Sequence, residues 1–141
     1  MDAALDRGGV RLEIPLPPSW NRVFKARAMP IGGGRFTAQV YKTAEGKEYA
    51  EKVQALCVAQ GLRPFPREQM LRLSGIVAMQ RAGCDLDDRL KVSLDALQGF
   101  VFENDEQVAE LAVRRIVDPK RPGLRVVFEP IPFDRYGNPT R

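Results

Sequence analysis

The chain has 141 residues, 44% of them hydrophobic and 28% charged, with a formal net charge of +4; this is the profile of one mildly basic globular domain, large enough to bury a core. It contains no histidine and two cysteines, Cys57 and Cys84. Those counts exclude a Ser-His-Asp triad, a Cys-His pair, histidine-ligated zinc and a four-thiolate zinc site, so any metal must be a hard cation held by oxygen: Mg²⁺, Mn²⁺ or Ca²⁺.

Two cysteines build no disulfide framework and fit a reducing, cytoplasmic location. No apolar run approaches the roughly 20 residues of a membrane helix, and the acidic opening Met1–Asp6 does not read as a secretory signal. No membrane partner and no small-molecule cofactor are expected.

Residues 1–9 lack periodicity and end in Gly8-Gly9, the pattern of a flexible tail. Val10–Ile14 alternates apolar and polar as a half-buried strand, stopped by Pro15, Pro17 and Pro18. Ser19–Lys42 reads as one long irregular stretch around Gly32-Gly33-Gly34, with room for a short strand near Arg35–Val40; loops of this length are functional or partly disordered. Thr43 is placed to cap a helix whose buried positions are Tyr49, Val53, Leu56 and Cys57, with Gly61 to close it. After a proline-rich link at Arg63–Pro66, Leu71–Gln80 alternates as a second strand and leads into Cys84-Asp85-Leu86-Asp87-Asp88. A second helix is predicted from Asp87, burying Leu90, Leu94, Leu97 and Val101. Glu103–Glu106 is a turn and Glu110–Val117 a third strand, joined through Asp118–Gly123 to Leu124–Glu129 as a hairpin. Residues 130–141 form a second flexible tail. The order is β-α-β-α-β-β: an α/β (α+β) fold, a single small domain over residues 10–129 with a mixed β-sheet and two main helices.

The acidic motif carries the chemistry. On an extended backbone the side chains of Asp85 and Asp87 point to the same side and converge at the rim of the sheet; Asp87 or Asp88 can equally cap the helix. Lys91 follows Asp87 by one helical turn and can either pair with it or stabilise the charge of a bound phosphate. Asp105, in the turn after the helix, is expected to return toward the first pair. Asp95 extends the charged face as scaffold. Carboxylates from separate elements suit Mg²⁺, which keeps several waters and completes its shell with substrate phosphate.

Three segments then resemble the RusA family of Holliday junction resolvases. The strongest is Asp85-Leu86-Asp87-Asp88-Arg89-Leu90-Lys91 with Asp95-Ala96-Leu97 and Asn104-Asp105-Glu106-Gln107-Val108; the others are Pro17-Pro18-Ser19-Trp20-Asn21-Arg22 and Ala44-Glu45-Gly46 with Tyr49. Together they span about residues 12 to 129. The resemblance implies a homodimer that binds branched DNA, a four-way junction, and nicks two opposed strands symmetrically using Mg²⁺ or Mn²⁺. By motif position it puts the essential metal-binding aspartates at Asp85, Asp87 and Asp105 and the essential lysine at Lys91. The chain departs from the family pattern at Asp88, where Asn is usual, at Asn104, where an acid is usual, and at Cys84, often arginine, which leaves Arg81 as the nearest basic candidate for phosphate. The alternative is a junction-DNA-binding protein whose catalysis these changes have weakened, or a less selective metal-dependent phosphatase or nuclease.

DNA contacts are expected from Asn21, Arg22, Lys25, Arg27 and Arg81, with Arg35 nearby. Lys120, Arg121 and Arg125 form a second basic group that reads equally as a solvated turn. Trp20 and Phe24 are either stacking platforms for exposed bases or buried anchors.

Overall fold

The computed structural model describes residues 8–140, so the expected tail at residues 1–9 falls almost wholly outside the described residues. Along the chain run β1 (Val10–Ile14), α1 (Trp20–Val23), β2 (Phe24–Gly32), β3 (Arg35–Lys42), α2 (Ala44–Ala59), β4 (Leu71–Met79), α3 (Leu86–Leu97), a 3-10 turn (Asp105–Gln107), β5 (Val108–Val117) and β6 (Gly123–Pro130). This is the mixed fold with two main helices that the sequence predicts. Among the described residues, no helix is long and apolar enough to cross a membrane.

Four strands form the main sheet in the order β1-β6-β4-β5. In β1, Val10, Leu12 and Ile14 are buried while Arg11 and Glu13 face solvent, as alternation requires. β4 pairs antiparallel with β6 and parallel with β5; α3 is the crossover that a parallel pair needs. The expected β5–β6 hairpin does not form. Residues 118–122 instead cross the end of β4, where the Asp118 N–H donates to the Met79 carbonyl (2.9 Å), and β6 enters between β1 and β4. Burial decides this placement. β6 brings Leu124, Val126 and Phe128 into the core, whereas β5 carries Glu110, Arg114 and Arg115 exposed and tolerates an edge.

The core joins Leu12, Leu73, Val77, Val126 and Phe128 of the sheet to Tyr49, Val53 and Cys57 of α2 and Leu90 and Leu97 of α3. Thr43 caps α2 as predicted, its Oγ1 accepting the Gly46 N–H (3.1 Å). The buried Tyr49 hydroxyl donates to the Pro15 carbonyl (2.7 Å), and burial pushes its phenol well above the ordinary range. It therefore acts as a neutral strut holding the chain where it leaves β1.

The region expected to be a loop, residues 19–42, is α1 followed by an antiparallel hairpin of β2 and β3 that forms its own two-stranded sheet. Alternation failed to reveal it because neither face is buried, so no apolar side is required of the sequence. Gly32, Gly33 and Gly34 turn it with positive φ at all three positions. At the other end of the chain, Asp134 Oδ1 accepts the N–H groups of Tyr136 and Asn138 (2.9 Å each), closing a turn after Pro130.

Candidate active site and nucleic-acid interface

β4 stops at Met79, a turn occupies residues 80–84, and Asp85 is the N-cap of α3 with extended backbone (φ −78, ψ 126). Asp85 and Asp87 are thus the N-cap and second residue of a helix, not two positions of a strand. Their side chains nevertheless reach one place: a cleft of about 380 Å³ lined by Trp20, Asn21, Asp85, Asp87, Asp88 and Lys91. The positive end of the α3 dipole favours carboxylates there. The Asp85 carboxylate makes no capping bond to its own helix, and Arg115 fixes the preceding loop by donating to the Cys84 carbonyl (2.7 Å).

Asp88 does cap a helix, but not its own. Both of its oxygens lie 3.0 Å from the Trp20 N–H, the first amide of α1, which a four-residue helix leaves without an internal partner. Arg89, which sequence reading passed over, donates from Nη1 to the Pro17 carbonyl, while its buried Nε has no hydrogen-bond partner among the described residues. Adjacent residues of α3 therefore pin Pro17–Asn21 against the helix start. Gly46 keeps this corner tight: a Cβ there would sit 2.6 Å from Val23 Cγ1.

Lys91 does not pair with Asp87; no ion pair joins it to any acid among the described residues. Its Nζ lies 5.1 Å from the centroid of the Trp20 ring. Asp95 is scaffold, as expected, but its partner is Lys42 (3.0 Å).

Asp105 does not return to the first pair. Its N–H faces Gln98 Oε1 at 3.4 Å, beside the C-terminal end of α3, whereas Asp85 and Asp87 stand at the N-terminal end. Twelve residues of helix place those ends about 18 Å apart. Among the described residues, no three Asp, Glu or Cys side chains meet as a metal-sized group. The turn bearing Asp105 is firmly built. Asn104 Oδ1 accepts the Glu106 N–H (2.9 Å), which gives the departure from the family acid a clear structural use. Gln107 is fully buried: Oε1 accepts from Glu103 (2.8 Å) and Asn104 (3.0 Å), and Nε2 donates to Pro66 (2.8 Å) and Gln69 (3.0 Å).

The DNA candidates are dispersed. Asn21 lines the cleft, while Arg22 pairs with Glu45 (2.6 Å) and lines a separate pocket with Pro17, Pro18 and Arg89. Lys25 and Arg27 are exposed on β2, with Arg27 held by Gln39 (2.8 Å) and lying 5.1 Å from the Tyr41 ring centroid. Arg81 is exposed in the turn before α3. In the second basic group, Arg121 is taken by Glu13 (2.7 Å) and Arg125 by Asp118 (3.8 Å), which favours the solvated-turn reading.

Two carboxylates and a lysine meeting at a helix start are compatible with phosphodiester hydrolysis, and the family model described as endodeoxyribonuclease RusA matches residues 15–129. The chain belongs to the RusA endodeoxyribonuclease family, and it is a Holliday junction-resolving nuclease that acts on branched DNA. No curated protein matches it in sequence. Membership points to a divalent metal. The donor set suits one: Asp85 and Asp87 offer hard oxygen ligands in a shared cleft, and Mg²⁺ is commonly held by one or two carboxylates with water and substrate phosphate completing its shell.

Proposed function

We propose that the protein is a Mg²⁺-dependent resolvase, with Mn²⁺ able to substitute, that works as a homodimer in the cytoplasm and resolves four-way junctions by paired symmetric nicks in recombination and repair. The observation that carries this reading is the meeting of Asp85, Asp87 and Lys91 in one cleft with Asn21 of the Pro17–Arg22 segment. Asp85 and Asp87 would hold the ion, which when bound supplies an activated water and neutralises charge on the scissile phosphate. Lys91, uncommitted to any carboxylate, offers its ammonium to the developing phosphate charge. Asn21 at the cleft, Arg22 next to it in sequence, Lys25 and Arg27 on the exposed hairpin, and Arg81 beside α3 contact the backbone of the junction arms.

The far position of Asp105 supports the dimer. Within one chain it lies a helix length from Asp87, so its role in the site is supplied across a two-fold axis, each copy's Asp105 completing the other's Asp85/Asp87 pair. Two identical sites then face the two opposed strands.

The test is to incubate the protein with labelled four-way junction, linear duplex and flap DNA, with Mg²⁺ or EDTA. Paired Mg²⁺-dependent nicks confined to the junction are expected. Tight junction binding without cuts by a folded protein would replace this reading with a binding protein of weakened catalysis, and equal cutting of linear duplex would replace it with a general nuclease.

A further inference from the structure

Lys91 occupies an unusual electrostatic position. It stands four residues after Asp87 and four before Asp95, the spacings at which a lysine ordinarily pairs with an acid on the same helix. It pairs with neither. Asp95 is engaged by Lys42 at 3.0 Å, and Lys91 rests on the face of Trp20 with Nζ 5.1 Å from the ring centroid. The Trp20 ring packs against Phe24 with centroids 4.1 Å apart and planes tilted by 33°, and Lys42 Nζ lies 5.7 Å from the Phe24 centroid. Two packed rings are thus each approached by a lysine, and of the two, among the described residues, only Lys42 meets a carboxylate.

Resting on a ring differs from pairing with an acid in one respect that matters for chemistry. The negative face of an indole attracts an ammonium without supplying a counter-charge. Lys91 keeps its full charge for a phosphate, and Asp87 keeps its carboxylate for a cation. An Asp87–Lys91 ion pair would cancel both. The platform is also fixed in register with the lysine it carries, because Asp88 holds the Trp20 amide and Arg89 holds the Pro17 carbonyl, both from the same turns of α3.

Resting on the resolvase reading above, we propose that Trp20 is a positioning residue: its ring holds Lys91 at the cleft and keeps it from collapsing onto Asp87. Trp20 is the chain's single tryptophan, so its fluorescence reports the contact without any need for activity. Lys91→Met should change the emission of the folded protein at unchanged melting temperature. Trp20→Leu should lower single-turnover cleavage of a saturating four-way junction about two- to fivefold, the rate equivalent of a solvent-exposed cation–π contact. Junction affinity measured in Ca²⁺ should stay within about twofold, since most of the backbone contacts proposed above are made by other side chains, Lys25, Arg27 and Arg81 among them. Trp20→Phe, which retains a ring, should recover most of the rate, and in a Lys91→Ala background Trp20→Leu should cost nothing further. Independent, additive losses from the two changes would overturn the proposal. So would weakened junction binding at an unchanged rate, the signature of a ring that stacks on bases. Unchanged emission of the folded Lys91→Met protein defeats the platform alone, whereas failure of the unaltered protein to cut any junction defeats the resolvase reading along with it.

Discussion

A mixture of two inactive variants should regain activity. Asp87→Asn removes one carboxylate at the N-terminal end of α3, and Asp105→Asn removes the one beside its C-terminal end. The helix between them spans about 18 Å, whereas two carboxylates sharing an ion at about 2.1 Å each sit only on the order of 4 Å apart. One chain therefore cannot bring both to one metal, and in the dimer proposed above a complete site would take Asp85 and Asp87 from one copy and Asp105 from the other. Each variant alone has both sites broken. In a mixed dimer the two lesions fall in the same site and leave its twin intact. Equal mixing with free exchange makes about half the dimers mixed, so about a quarter of the wild-type number of sites should work. The assay is a four-way junction extruded from a supercoiled plasmid, scored for nicked circles, because a dimer with one good site makes one cut and not the linear product of two. Failure of a fully exchanged mixture of folded variants to nick would refute the argument and return Asp105 to a role outside the site.

Further outcomes follow from the same geometry. Asp87→Asn alone should reduce cleavage by at least about a hundredfold while retaining or strengthening junction binding in a gel-shift assay, since it removes negative charge beside phosphate. Gln107→Leu should destabilise the fold by about 2–4 kcal/mol, because it removes the partner of two part-buried amide donors and two carbonyl acceptors at once; urea titration reads this, and a loss under about 1 kcal/mol would contradict the hub. Lys25→Ala and Arg27→Ala should each reduce the slope of log affinity against log salt by about one for any DNA sequence. In the folded protein one thiol should react quickly with a disulfide reagent: Cys84 is part-exposed, while Cys57 is buried and burial pushes its thiol up. Equal fast reaction of both would contradict the burial of α2.

What the sequence made legible is what burial writes into it. β1, α2, β4 and α3 each bury one face, and their apolar periods located them to within a residue or two. The hairpin Phe24–Lys42 buries almost nothing and left no period to read. The β5–β6 pairing was misread because a turn signal at residues 118–123 states that the chain reverses, not which neighbour the returning strand takes. At the site, the spacing of Asp85, Asp87 and Lys91 was readable, and their cleft formed. The cross-chain bonds were not: Asp88 to Trp20 and Arg89 to Pro17 join residues 68 and 72 apart in sequence, and no local pattern marks such pairs. The distance of Asp105 followed only from the direction of α3 between two parallel strands.

The hairpin has a consequence for how such an enzyme diversifies. Nearly every side chain of β2 and β3 faces solvent, and beyond Phe24, which packs against it, neither strand contributes to the core. Substitutions along this arm are therefore released from the folding constraint that governs the rest of the chain. The arm nonetheless begins at Phe24, directly after the α1 residues that line the cleft. If the hairpin contacts DNA as proposed, drift in its length, charge or aromatic content would redirect which DNA shapes are held at little thermodynamic cost, while the groups proposed to react stay on α3. Substrate preference and chemistry would in this way be separable traits within a chain of 141 residues.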